Sequence, residues 1–133
     1  MKILIVDDDF VSRITLHKLL MNHGCCDMAE DGKEAVAAFE KALEEGAPYD
    51  LVCMDIMMPE MDGQEAMQQI RALEKKRNTA PGKEAKAIMV TALDDPTNVS
   101  KAFFRGEATG YIAKPYDHAK IILMLQEMGL VQK

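Results

Sequence analysis

Five polar residues each follow a short apolar run, and their types suit metal and phosphoryl chemistry. Three are carboxylates (Asp7, Asp8 and Asp55), one is a hydroxyl (Thr91) and one is an ammonium (Lys114). Carboxylates brought close together repel one another and raise each other's pKa unless a cation is present. Oxygen ligands of this kind suit Mg²⁺, while a Lys and a Thr can hold the oxygens of a tetrahedral phosphoryl group. If the fold brings the five together, we expect a magnesium-assisted phosphoryl site.

Asp55 is the best candidate for the nucleophile of such a site. It stands alone at the end of its apolar run, whereas Asp7 and Asp8 form an adjacent pair suited to a metal. The simpler interpretation is that the run Asp7-Asp8-Asp9 only caps a helix and complements its dipole. Taken singly, each motif permits such an interpretation. Five coincidences at equivalent positions are much harder to explain that way.

Hydrophobic periodicity predicts strands and helices in strict alternation, without repeats or an internal linker. This alternation indicates an α/β fold, a doubly wound parallel sheet with helices on both faces. In such sheets ligands bind beyond the carboxyl ends of the strands, which is where the five polar residues fall. The predicted strands cover residues 2–6, 25–29, 50–55, 87–90 and 110–113, and the predicted helices cover 10–23, 33–45, 63–76, 96–105 and 117–128.

Length and composition indicate one globular domain over residues 1–133. The chain is 48% hydrophobic and 29% charged, which is ordinary for a folded protein. A net charge of −6 disfavours direct binding to nucleic acid, and no apolar run is long enough for membrane insertion. An odd set of three cysteines (Cys25, Cys26 and Cys53) favours a reducing, cytoplasmic compartment, and we expect all three to be buried as small hydrophobic residues.

Four motifs, in order along the chain, resemble those of the response-regulator receiver domains of two-component signalling. The resemblance spans essentially the full length, and in layout it is to the stand-alone, chemotaxis-type (CheY-like) regulators. It implies a flavodoxin-like receiver fold, a doubly wound five-stranded parallel sheet of order 2-1-3-4-5 with five helices. The motifs are Ile-Leu-Ile-Val-Asp7-Asp8-Asp9, Asp55-Ile-Met-Met-Pro59 with Met61-Asp62-Gly63, Val90-Thr91-Ala92, and Gly110-Tyr111-Ile-Ala-Lys114-Pro115.

The resemblance also implies a phosphorylation site and a metal site. Asp55 would accept a phosphoryl group from a phosphohistidine on a sensor histidine kinase and form an acyl phosphate. Asp8, Asp55 and the backbone carbonyl of Met57 would bind Mg²⁺ directly, and Asp7 would act mainly through water.

A conformational switch and a partner surface are implied as well. Thr91 and Lys114 would contact the phosphoryl oxygens, and Tyr111 would turn inward when Thr91 is drawn to the phosphate. The face formed by the fourth helix, fifth strand and fifth helix would then dock a downstream protein. Phe103 and Phe104 are adjacent on the fourth predicted helix and cannot both point into the core. Phe104 therefore joins Tyr111 as a candidate for this partner face, or it only covers the loop that follows.

The favoured interpretation is a stand-alone phospho-acceptor switch that is no enzyme beyond its own phosphorylation and dephosphorylation. It would act as a monomer or as a phosphorylation-dependent dimer. A Mg²⁺-dependent phosphatase is a rival, but its chemistry wants a second carboxylate two residues after the nucleophile, where Met57 stands. Other rivals are a non-phosphorylated interaction module and a receiver excised from a longer regulator. The nearness of Met1 to the first predicted strand disfavours the latter.

Overall fold

A computed structural model shows a five-stranded sheet lying between two layers of helices. The structure describes residues 1–58, 60–91, 108–114 and 116–131. The strands are β1 (Lys2–Val6), β2 (Cys25–Ala29), β3 (Leu51–Asp55), β4 (Lys86–Thr91) and β5 (Gly110–Ala113). They are parallel throughout and lie in the order β2-β1-β3-β4-β5. The predicted doubly wound parallel sheet is thereby confirmed.

The described helices cover the two faces of this sheet. They are α1 (Phe10–Leu20), α2 (Gly32–Glu44), α3 (Gly63–Lys76) and a C-terminal helix (His118–Glu127). The helix predicted over residues 96–105 lies outside the described residues, so the count of five helices stays a prediction. The prediction that α1 reaches His23 is wrong by three residues, because the His23 amide donates to the Leu20 carbonyl at 2.9 Å in a tighter turn. None of the described helices has the length and apolar character needed to cross a membrane.

Side chains that alternate along the strands divide the core into two clusters. On β1, Leu4 and Val6 pack with α2 and α3, whereas Ile3 and Ile5 pack with α1 and the C-terminal helix. Residues 3 to 6 are therefore buried on both faces, as the apolar run predicts for a central strand of a parallel sheet.

The edge strand β2 corrects one prediction from the sequence. Cys53 is buried in the central strand β3, but Cys25 is exposed and Cys26 is partly exposed. The expectation that all three thiols are buried is therefore confirmed for Cys53 and wrong for Cys25 and Cys26, because β2 has a neighbouring strand on one side only. Met28 on the same strand is exposed as well.

Strand register aligns the ends of the central strands at one rim. Val6 pairs with Met54, Asp55 with Val90 and Thr91 with Ala113. Asp7 directly follows β1 and Lys114 directly follows β5, so both residues lie next to this rim.

Candidate functional site

Three carboxylates and one ammonium group converge at the carboxyl ends of the strands. Asp7, Asp8 and Asp55 each offer a carboxylate oxygen, and these oxygens lie within 4.8 Å of one another. The Nζ of Lys114 lies 3.5 Å from Asp7 Oδ2 and 3.7 Å from Asp55 Oδ2. Asp7 and Asp55 are buried, and Asp8 is exposed to solvent. The structure thus brings together four of the five residues proposed from the sequence.

The three consecutive aspartates have two different roles: two belong to the acidic cluster and one caps a helix. Asp9 is the N-cap of α1, and its Oδ2 accepts hydrogen bonds from the amide and the hydroxyl of Ser12 at 2.9 and 2.8 Å. These bonds hold the pKa of Asp9 below its usual value. Asp7 Oδ1 accepts from the Asp9 amide at 2.9 Å, which ties the cap to the cluster. The capping interpretation therefore holds for Asp9, while Asp7 and Asp8 belong to the site.

Asp55 is held by the loop that joins β3 to α3. The Met57 amide donates to Asp55 Oδ1 at 3.2 Å, and the Ile56 amide donates to the Val90 carbonyl at 3.0 Å. The Gly63 amide returns to the Ile56 carbonyl at 2.9 Å, and Asp62 caps α3. A Cβ at Gly63 would collide with the backbone carbonyl of Asp55, so this turn requires a glycine.

The cluster carries more negative charge than its lysine can balance. Burial, and secondly the nearby Asp7 carboxylate, raise the pKa of Asp55 from 3.8 to about 6. Lys114 and the Met57 amide act in the opposite direction but do not cancel this effect. Oxygen ligands within 4.8 Å of one another, with unbalanced negative charge, fit a hard divalent cation such as Mg²⁺.

The other candidates from the sequence lie in the loop after β3, on β4, on β5 or outside the described residues. Met57 and Tyr111 have exposed side chains, with 64% and 47% of their surface accessible. The backbone of Thr91 pairs with Ala113 next to the strand that ends in Asp55. Phe104, on the other hand, lies outside the described residues, and its role at a partner face stays a prediction.

Sequence reasoning missed Arg13, which is buried on α1 with 7% of its surface accessible. Its Nη1 donates to the backbone carbonyl of Asp7 at 2.8 Å. The signal was present in the spacing, because Arg13 lies three and seven residues before Leu16 and Leu20, the other buried residues of α1. A charged residue on the apolar stripe of a helix indicates a specific partner.

Comparisons with known proteins agree with this geometry. Residues 3–126 match the family described as "Response regulator receiver domain". The chain is 35% identical over 123 residues to the chemotaxis protein CheY of Treponema pallidum, covering 91% of this chain and 77% of that protein. It is 44% identical over 95 residues to hybrid signal transduction histidine kinase B of Dictyostelium discoideum, covering 69% of this chain but 5% of the kinase. Among solved structures, the CheX–CheY–BeF3–Mg²⁺ complex of Borrelia burgdorferi matches with a TM-score of 0.81 and 29% identity, covering 97% of this chain and 89% of that one.

Proposed function

Because this chain belongs to the family of response regulator receiver domains, we propose that it is a phospho-acceptor switch of two-component signalling. Asp55 is the acceptor, and the donor is a phosphohistidine on a sensor histidine kinase. The observation that carries this proposal is the buried Asp55 carboxylate at the end of a central strand, within reach of two further carboxylates and Lys114. Relatives of the same family include a chemotaxis protein, so chemotaxis is one pathway in which such a switch operates.

In the proposed reaction, a carboxylate oxygen of Asp55 attacks the phosphorus atom and the phosphorus–nitrogen bond to the donor imidazole breaks. The imidazole leaves with the electron pair of that bond, and Asp55 becomes an acyl phosphate. A pKa of about 6 leaves most of the Asp55 carboxylate ionised, and so nucleophilic, above pH 7. Lys114 Nζ already lies 3.7 Å from Asp55 Oδ2, so it can neutralise charge on the arriving phosphoryl oxygens.

In this proposal Asp8, Asp55 and the backbone carbonyl of Met57 would hold Mg²⁺, with Asp7 acting through water. The three carboxylates with oxygens within 4.8 Å of one another support this set. When bound, the ion supplies positive charge to the phosphoryl oxygens and relieves the repulsion among the carboxylates. Asp7 keeps its own fixed contacts, from the Asp9 amide to Oδ1 and from Lys114 to Oδ2, and so orients the buried side of the site.

The output of the switch is a change of surface beside β4 and β5. Phosphorylation adds about 1.5 to 2 negative charges at the rim, which favours a rearrangement of Thr91 towards the phosphate. Tyr111 pairs in register with Met89 on the neighbouring strand, and its ring is exposed; in this proposal the ring turns inward as Thr91 moves. In this proposal the surface containing Tyr111 and Phe104 then binds a downstream protein.

In this proposal the protein acts in the cytoplasm through contacts with other proteins, as a monomer or a phosphorylation-dependent dimer, without binding nucleic acid directly. Its relatives include a chemotaxis protein, of which the chain covers 77%, and a kinase, of which it covers 5%. The family therefore contains receiver domains that make up most of a protein and receiver domains that are a small part of a longer one. For this protein we propose the stand-alone form. A phosphatase is disfavoured because Met57, two residues after Asp55, offers no acid or base.

Intact mass after incubation with acetyl phosphate and Mg²⁺ tests this proposal. We expect one phosphoryl adduct on the wild-type chain, and none on Asp55→Asn or in the presence of a metal chelator. If the folded wild type gains no adduct, beryllofluoride binding separates the remaining explanations. Binding would point to phosphorylation by the kinase alone, and its absence would favour a non-phosphorylated interaction module and contradict the proposal.

A further inference from the structure

We propose that Arg13 is a positioning residue for the acidic cluster. Its guanidinium fixes the backbone of Asp7, and this keeps the carboxylates of Asp7 and Asp8 placed for a divalent cation. The inference rests on the proposed function, since it concerns the same site, and it assigns a role to a residue that touches neither the cation nor the phosphoryl group.

Asp7 is held by a contact at each of its polar atoms. Its amide donates to the Ala29 carbonyl at 3.2 Å, its Oδ1 accepts from the Asp9 amide at 2.9 Å, and its Oδ2 lies 3.5 Å from Lys114 Nζ. The remaining atom, the backbone carbonyl oxygen, accepts from Arg13 Nη1 at 2.8 Å, and this bond is buried. Because a buried carbonyl without a partner is costly, loss of Arg13 would favour rotation of the peptide between Asp7 and Asp8.

The other surroundings of Arg13 do not explain its burial. Its Nη2 lies 3.6 Å from Glu30 Oε1, but the Glu30 side chain is 69% exposed, and such pairs contribute little. The guanidinium also lies 5.6 Å from the centre of the Phe10 ring, which is itself exposed. Since an apolar side chain would continue the stripe of Leu16 and Leu20 without a desolvation cost, the bond to Asp7 is the specific feature that an arginine supplies here.

The test is the affinity for Mg²⁺, measured by calorimetric titration of the metal-free protein. Coulomb's law alone predicts that Arg13→Met binds Mg²⁺ more tightly, because a positive charge near the acidic cluster is removed. Positioning predicts the opposite sign, a Kd raised by about 10- to 100-fold. Arg13→Lys keeps a donor that can reach the Asp7 carbonyl, and it should recover most of that loss. An unchanged or lowered Kd in a folded Arg13→Met variant would overturn the inference.

Two control variants separate positioning from a general loss of stability. Arg71→Met removes the same charge from α3. There, Arg71 Nη1 lies 2.6 Å from Glu74 Oε1, and neither residue belongs to the acidic cluster. Glu30→Gln removes the ion pair of Arg13 and leaves its bond to Asp7 in place. We expect the Kd of both variants to stay within about two-fold of the wild type, below the smallest change expected at Arg13. A ten-fold change in either would show that the effect does not run through the Asp7 carbonyl.

If Arg13→Met does not fold, the wild type itself supplies the test. The Nη resonances of Arg13 in a ¹⁵N NMR spectrum should shift as Mg²⁺ saturates the site, since the guanidinium is bonded to the backbone of a residue whose carboxylate belongs to the acidic cluster. Saturation without any shift would overturn the inference. A wild-type protein that binds no Mg²⁺ would instead contradict the proposed function, so the two failures are distinguishable.

Discussion

Replacing Asp55 with asparagine should stabilise the metal-free protein at neutral pH. The pKa of Asp55 rises from 3.8 to about 6 on folding, mainly through burial and secondly through Asp7. A difference of this size corresponds to about 3 kcal/mol of unfolding free energy. Between these two values the folded chain binds more protons than the unfolded chain, so the contribution of Asp55 to stability falls as pH rises. The penalty is absent below about pH 4 and complete above about pH 7.

Urea unfolding of wild type and Asp55→Asn, at pH 4 and pH 8 with a chelator present, measures this effect. We expect the variant to be more stable by about 2–3 kcal/mol at pH 8 and nearly equal to the wild type at pH 4. Millimolar Mg²⁺ should narrow the gap at pH 8, because it binds the folded wild type. A gain that is the same at both pH values would indicate better packing instead of relieved charge repulsion. No gain at pH 8 would refute the electrostatic argument altogether.

Three further substitutions probe the supports of the site. Lys114→Met removes one of the two groups that lower the pKa of Asp55. The acid limb of the pH profile for phosphorylation by acetyl phosphate, followed by intact mass between pH 5 and pH 8, should therefore move to higher pH, and an unmoved limb would contradict this. Gly63→Ala places a Cβ against the Asp55 carbonyl and should cost about 1–3 kcal/mol in urea unfolding, so a variant as stable as the wild type would count against the close approach. Asp62→Ala removes the N-cap bond that Glu65 donates at 2.9 Å and should cost about 1 kcal/mol, measured in the same way, whereas a neutral result would show that water replaces the cap.

Much of the fold could be predicted because its signals are local. The apolar run before Asp7 predicts a strand buried on both faces, and β1 is such a strand. Alternating elements predict a parallel sheet, and a parallel sheet places residues such as Asp55 and Lys114 at one rim whatever their distance in sequence. Within the described residues, the strand and helix ends lie within one residue of prediction, apart from the early end of α1.

The features that were missed from the sequence depend on contacts between different elements of the fold. Arg13 and Glu74 are charged residues on helices, and pattern reasoning places such residues in solvent. Both are buried because backbone groups outside their own helices pair with them. The Asp7 carbonyl accepts from Arg13, and the Ala85 amide donates to Glu74 Oε2 at 2.7 Å. Cys25 was predicted to be buried but is exposed, because β2 lies at the edge of the sheet.

In the proposed function Asp55, and not Asp7 or Asp8, is the carboxylate that accepts the phosphoryl group. Borohydride reduces an acyl phosphate to an alcohol and so converts the phosphorylated aspartate to homoserine. The protein is treated with acetyl phosphate and Mg²⁺, reduced, digested and sequenced by mass spectrometry, with a sample without acetyl phosphate as the control. We expect homoserine at position 55 alone, in the treated sample alone. Homoserine at position 7 or 8 would refute the assignment of Asp55 as the acceptor, as would an adduct that leaves Asp55 unmodified.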